Sequence, residues 1–208
     1  MLTIWGRRNS ANVQKVLWLA EELGMAWHHE PAGGQENAAR HDALVARNPN
    51  GLVPVIEHGA LTLWESNAIL RYLARLYPEA ECYGRSPTES AYIDQWMDWQ
   101  VSTLWPQMLP YFIGLVRTPE ADRDANTIET ARRQTHQNFS ILEQSLRPGA
   151  FLVGDRITIA DVALGAFIHR WLTLNGDAAT TQPLLAALHE RYQTRAAFTS
   201  HIHRPPLQ

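Results

Sequence analysis

The segment Asn48-Pro49-Asn50-Gly51-Leu52-Val53-Pro54-Val55-Ile56 constrains the fold more than any other stretch of the chain. Its first half is turn chemistry: proline presets φ, and glycine takes positive φ without a clash. Its second half is β-branched and strand-forming, yet it carries a proline with no N–H to give a ladder. An X-Pro bond is the peptide that adopts cis at low cost, usually in a tight turn. The sequence therefore predicts a cis Val53-Pro54 bond, with the Val53 amide and carbonyl left outside the sheet. Shortly after comes Glu65-Ser66-Asn67-Ala68-Ile69-Leu70-Arg71-Tyr72-Leu73, a helix opening on an acidic-hydroxyl pair. An extended peptide can add to exposed strand backbone. Its carboxylate can sit on the N–H groups of a helix start near Ser66. Together the two segments predict a receptor for a small acidic peptide.

The pattern around them is strand, helix, strand. Leu2 to Trp5 is a short apolar run, and Asn12 to Leu23 carries Val13, Val16, Leu17, Ala20 and Leu23 at helical spacing before Gly24. Ala26 to His29 reads as a second strand parallel to the first. Residues 35–47 read as irregular or short helix. Val53 to Glu57 and Leu61 to Trp64 form a hairpin about His58-Gly59-Ala60, and Glu65 to Leu76 is a helix stopped by Pro78. This order is thioredoxin-like. Residues 1–78 are expected to form the peptide-binding domain, 79–87 a linker, and 88–208 an all-α domain. In the α domain, Thr88 to Leu115 reads as a long helix bent near Pro106 and Pro110, and Asn126 to Leu146 as another. Thr158-Ile159-Ala160-Asp161 reads as a capping box with Asp in place of Glu, stapled by Ile157 and Val162. That helix runs towards Leu174, and a shorter one follows Pro183. As a lost cap, Asp161→Ala is expected to cost about 0.5–2 kcal/mol.

Over nearly its whole length the chain resembles the cytosolic glutathione transferases. The resemblance rests on the pairing of Asn48-Pro49-Asn50-Gly51-Leu52-Val53-Pro54 with Glu65-Ser66-Asn67-Ala68-Ile69 and Tyr72-Leu73. Asn9-Ser10-Ala11-Asn12 is similar to bacterial, serine/asparagine-type, theta- or nu-like members. The resemblance implies the two-domain fold of that family, α/β followed by a helical bundle. It implies glutathione as co-substrate, a homodimer, and detoxifying conjugation to apolar electrophiles in the cytoplasm. It also implies the site. Ser10 is preferred as the hydroxyl that stabilises the thiolate, with Asn12 second; either residue could instead be only an N-cap. Leu52, Val53 and Pro54 would hold the tripeptide edge. Ser66 would hold its γ-glutamyl carboxylate, with Glu65 facing the ammonium group. Many relatives carry a polar residue where Leu52 stands, so the glycine carboxylate is left to His41 or to no residue of this set. Trp105, Met108, Tyr111 and Phe112 are candidates for the electrophile pocket, although packing explains any single tryptophan as well.

Composition removes other classes. A net charge of −3 offers no basic surface for nucleic acid. No apolar run approaches a membrane span, and the N-terminal residues do not show the charged-then-apolar pattern expected of a signal segment. The single cysteine, Cys82, allows neither an internal disulfide nor a C-x-x-C redox pair, and its place in the linker predicts an inert thiol. His201 and His203 lack the neighbours of a metal set and read as a solvated tail. Two other functions stay open at this level: glutathione-dependent reduction of disulfides or peroxides, and a non-enzymatic binding module.

Overall fold

The computed structural model describes residues 1–34 and 38–207. Four short strands, β1 (Leu2–Trp5), β2 (Trp27–Glu30), β3 (Val55–His58) and β4 (Leu61–Trp64), make one sheet in the order β2-β1-β3-β4. Strands β1 and β2 are parallel, which requires a crossover, and α1 (Ala11–Glu22) supplies it. Strand β3 runs antiparallel to β1 with Ile56 opposite Ile4, both fully buried. Strand β4 follows a two-residue turn whose first residue, Gly59, takes φ +62°. Helices α2 (Ala38–Arg47) and α3 (Ser66–Leu76) complete this half.

The rest is helical: α4 (Pro87–Trp99), α5 (Trp105–Phe112), α6 (Ala125–Ser145), α7 (Ile159–Leu174), α8 (Ala178–Thr181) and α9 (Pro183–Gln193). The bent helix expected around Pro106 and Pro110 is α4 and α5 in sequence, joined by a π-helical turn over Gln100–Leu104. There the Trp105 N–H reaches back to the Gln100 carbonyl. A second π turn, Ile113–Arg117, follows Pro110. Pro106 removes a donor from the ladder, and the wider turn before it is one way to relieve the lost bond and the ring clash, while Pro110 is accommodated inside α5.

Trp18 of α1 is fully buried, edge-on to Tyr192 at 5.5 Å and to Phe198 at 5.0 Å. Both halves of the molecule therefore share one core. Helix α7 is buried on nearly every face, and at Gly165 it meets the Trp18 ring so closely that a Cβ would lie 2.5 Å from Cζ3. At the start of α7, the wholly buried Asp161 accepts from the Thr158 N–H and hydroxyl at 2.8 Å. It also accepts from the Leu152 N–H at 2.9 Å and the Tyr192 hydroxyl at 2.8 Å. Burial pushes its carboxyl above the usual range, against the pull of those donors.

Two expectations are corrected. Strand β3 begins at Val55, not Val53, because Pro54 has no donor for the ladder. Of the two C-terminal histidines, His203 is exposed but His201 is not part of a solvated tail. Residues Thr199–His203 form a π turn folded back on α1, anchored by the buried Phe198 and Ile202. His201 is buried against Trp27 and bonded to Glu21, and the His203 ring lies 5.4 Å from that of His169. No helix among the described residues is long and apolar enough to cross a membrane.

Candidate functional site

The start of α1 opens on a cavity of about 420 Å³ between the two halves of the molecule. Ser10 is the N-cap residue by backbone geometry, and its carbonyl accepts the Gln14 N–H at 2.8 Å. Its side chain makes no capping bond, so the hydroxyl is left for other use, and it lines the cavity. Asn12 lines it as well. The first turn of α1 carries no acidic residue, so the positive end of the helix dipole faces the cavity without a compensating carboxylate.

The facing edge is built by Gly51, Leu52 and Val53. The Val53-Pro54 peptide is cis, and Val53 lies just outside the ladder that starts at Val55. Gly33 packs on Val53 at φ +75°, where a Cβ would come within 2.7 Å of Val53 Cγ1. Both the conformation and the close approach require glycine there. Helix α3 begins beside this edge. Glu65, its N-cap, is exposed and holds φ +71°, a conformation that costs a non-glycine residue about 1–3 kcal/mol and is found most at functional sites. Ser66 is buried, and its hydroxyl donates to Asn12 Oδ1 at 3.3 Å.

The helical half closes the other side with Trp105, Phe167, Arg117 and Arg170. Trp105 stands edge-on to Phe167 at 5.2 Å. Behind this wall Lys15 is completely buried, donating to Asn67 Oδ1 at 2.9 Å and Gln100 Oε1 at 3.1 Å. It ties α1 to the residue after Ser66 and to the π turn. Burial lowers its pKa from 10.5 to about 7, with Glu65 opposing.

The structure thus brings together Ser10, Asn12, His41, Leu52, Val53 and Trp105 around one space. Glu65, Ser66 and Pro54 stand beside it without lining it. Met108, Tyr111 and Phe112 turn into the core: Met108 is fully buried, Tyr111 donates to the Leu174 carbonyl at 3.0 Å, and Phe112 lies under the Arg170 guanidinium at 4.2 Å. They share the core-facing side of α5 by their i, i+3, i+4 spacing. Cys82 is buried in the segment between α3 and α4, and burial pushes its thiol up to about 11. No group of three His, Cys, Asp or Glu side chains among the described residues could hold a metal ion. Sequence reasoning passed over Arg7, Arg117, Phe167 and Arg170. Of these, Arg170 had a signal: it is the one Arg or Lys in α7, a helix buried on nearly every face, where a cation is rare without a purpose.

Two family models match the chain, the glutathione S-transferase N-terminal domain over residues 1–75 and C-terminal domain over residues 104–196. Glutathione S-transferase GstB of Escherichia coli is 38% identical over 200 residues, spanning 95% of each chain. Glutathione S-transferase 4 of Zea mays is 28% identical over 168 residues, or 80% of this chain and 75% of its own. The crystal structure of a theta class glutathione S-transferase from Xanthomonas axonopodis pv. citri, with glutathione bound, superposes with a TM-score of 0.90. It is 40% identical and covers 100% of this chain and 99% of its own.

Proposed function

The chain belongs to the glutathione S-transferase family, and we propose that it joins the ionised thiol of glutathione to small apolar electrophiles at the junction of its two halves. The supporting observation is the start of α1, where an unused Ser10 hydroxyl, the Asn12 amide and an uncompensated helix end all face one cavity. Thiolate, not thiol, is the nucleophile, and a free thiol has a pKa near about 8.5. The helix end supplies roughly 0.3–2 kcal/mol of preference for the anion. A hydrogen bond to it supplies about 1.5–3 kcal/mol. Since one pKa unit needs about 1.4 kcal/mol, the two together ionise the bound thiol at neutral pH without a general base. The sulfur then forms the new bond to carbon as the leaving group departs with its electron pair. The thiol proton goes to solvent.

In this reading Ser10 donates to the sulfur and Asn12 assists, held by Ser66. The backbone of Val53 pairs with the extended tripeptide, the Ser66 backbone N–H at the start of α3 receives its γ-glutamyl carboxylate, and Glu65 meets its ammonium group. His41 stands at the cavity rim for the glycine carboxylate, and Trp105 with Phe167 forms the apolar wall for the electrophile. We further read the protein as a cytoplasmic homodimer, as its family is.

Ser10→Ala is expected to lower kcat for an aryl halide roughly tenfold or more, the value of one hydrogen bond to an anion. It is also expected to raise the pKa of the bound thiol, followed by thiolate absorbance. An unchanged rate in Ser10→Ala beside a dead Asn12→Ala would exchange the two roles. Calorimetry showing no glutathione uptake at millimolar concentration would end the reading altogether.

A further inference from the structure

Helix α7 presents a charge to the cavity that conjugation of a neutral compound does not use. Arg170 is only 3% exposed, yet it lines the cavity together with Arg7 and Arg117. No acidic side chain is found among the described residues of that lining. Its Nη2 donates to the Asn9 carbonyl at 2.9 Å, and its guanidinium lies over the Phe112 face at 4.2 Å. Its Nε is buried without a hydrogen-bond partner among the described residues. A carbonyl and a ring face are dipole and quadrupole partners; neither brings a countercharge. Burial, with Arg117 and Arg7 nearby, lowers the Arg170 pKa to about 9, so the group remains a cation at neutral pH. A buried cation is costly unless a charge meets it, and its planar fork fits a carboxylate in bidentate fashion.

Resting on the conjugation reading above, we propose that the preferred electrophile carries an anionic group, a carboxylate or an acid of similar size, seated on Arg170. The position on the wall matters. Arg170 is carried by the helical side with Phe167 and Trp105, and its bond to the Asn9 carbonyl holds it next to the Ser10 end of α1. An aromatic or aliphatic body would rest on that apolar pair while the acid end reaches the guanidinium. The electrophilic carbon is then turned towards Ser10.

The test separates binding from turnover. Calorimetry with dinitrobenzoate and with its neutral amide, neither bearing a leaving group, is run on the full-length protein with glutathione present. The acid is expected to bind roughly tenfold tighter or more, the value of a charge-assisted pair. Arg170→Gln is expected to abolish the preference and leave glutathione affinity unchanged. Should Arg170→Gln fail to fold, Arg117→Gln at the exposed rim is expected to weaken the preference several-fold. Equal affinity for acid and amide overturns the proposal, as does a preference that survives both substitutions. A tenfold loss of glutathione affinity in Arg170→Gln, with the preference intact, would overturn it by giving the cation to the tripeptide's own carboxylate. Because no reaction is required, absence of conjugation counts against the proposed function and leaves this result standing.

Discussion

Ser10 and Asp161 both stand at helix starts, but only Asp161 uses its side chain there. Asp161 satisfies two backbone N–H groups and two hydroxyls while wholly buried. The sequence showed the box Thr158-Ile159-Ala160-Asp161 and so a cap. It did not show Leu152 or Tyr192, which arrive from other segments. Each donor left without an acceptor in a buried site costs about 1–3 kcal/mol. Asp161→Ala is therefore expected to lose more than ~2 kcal/mol, above the ~0.5–2 of an exposed cap. A urea melt with a smaller loss would mean that water replaces the carboxylate. At Ser10 the residue type alone allowed either a cap or a donor to sulfur. The absent capping bond is a property of the folded backbone and not of the letter in the sequence.

At the scale of elements, α7 and the α4–α5 rod illustrate what pattern reading reaches. The proline at 106 marked where the rod departs from regular α-helix, because a missing N–H and a crowded ring act locally, whereas Pro110 sits inside α5. That the relief takes the form of a π turn depends on how α5 then packs. In α7, glycine at 165 looks like a weakness, since glycine costs a helix about 1 kcal/mol relative to alanine. The Trp18 ring at 2.5 Å from a would-be Cβ explains it. Gly165→Ala is expected to lower Tm, because overpacking of about 1–3 kcal/mol outweighs the helix gain. A Tm equal to or above wild type would show that α1 and α7 can separate at no cost.

Over the whole molecule, buried basic groups link stability to pH. Burial, with neighbouring histidines, holds His169 at about 3 and His189 at about 4, down from 6.5. Lys15, at the junction of the two halves, is held at about 7, down from 10.5. In each window, from about 4 to 6.5 and from about 7 to 10.5, the unfolded chain binds protons that the folded one refuses. These groups therefore make stability rise with pH through both windows and fall on acidification, with the raised Cys82 thiol acting in the opposite sense at the alkaline end of the upper one. Differential scanning calorimetry from acid to mildly alkaline pH is expected to show Tm climbing through both. In Lys15→Met the upper climb should disappear; an unchanged profile would place the lysine charge in water.

The sequence by itself determined the succession of strands and helices in the first half, the cis proline edge, the helix starts and the all-α second half. Each follows from interactions within a few residues: turn chemistry, period and capping. Tertiary structure decided which side chains share the cavity, and it turned Met108, Tyr111 and Phe112 into the core. It also folded His201 onto α1, placed Arg170 in the wall of the cavity and set Lys15 behind it. Those outcomes depend on contacts between segments far apart in the sequence, such as Lys15 with Asn67, Tyr111 with Leu174 and Arg170 with Asn9, and burial, charge and reach at such contacts exist only once the halves have packed together.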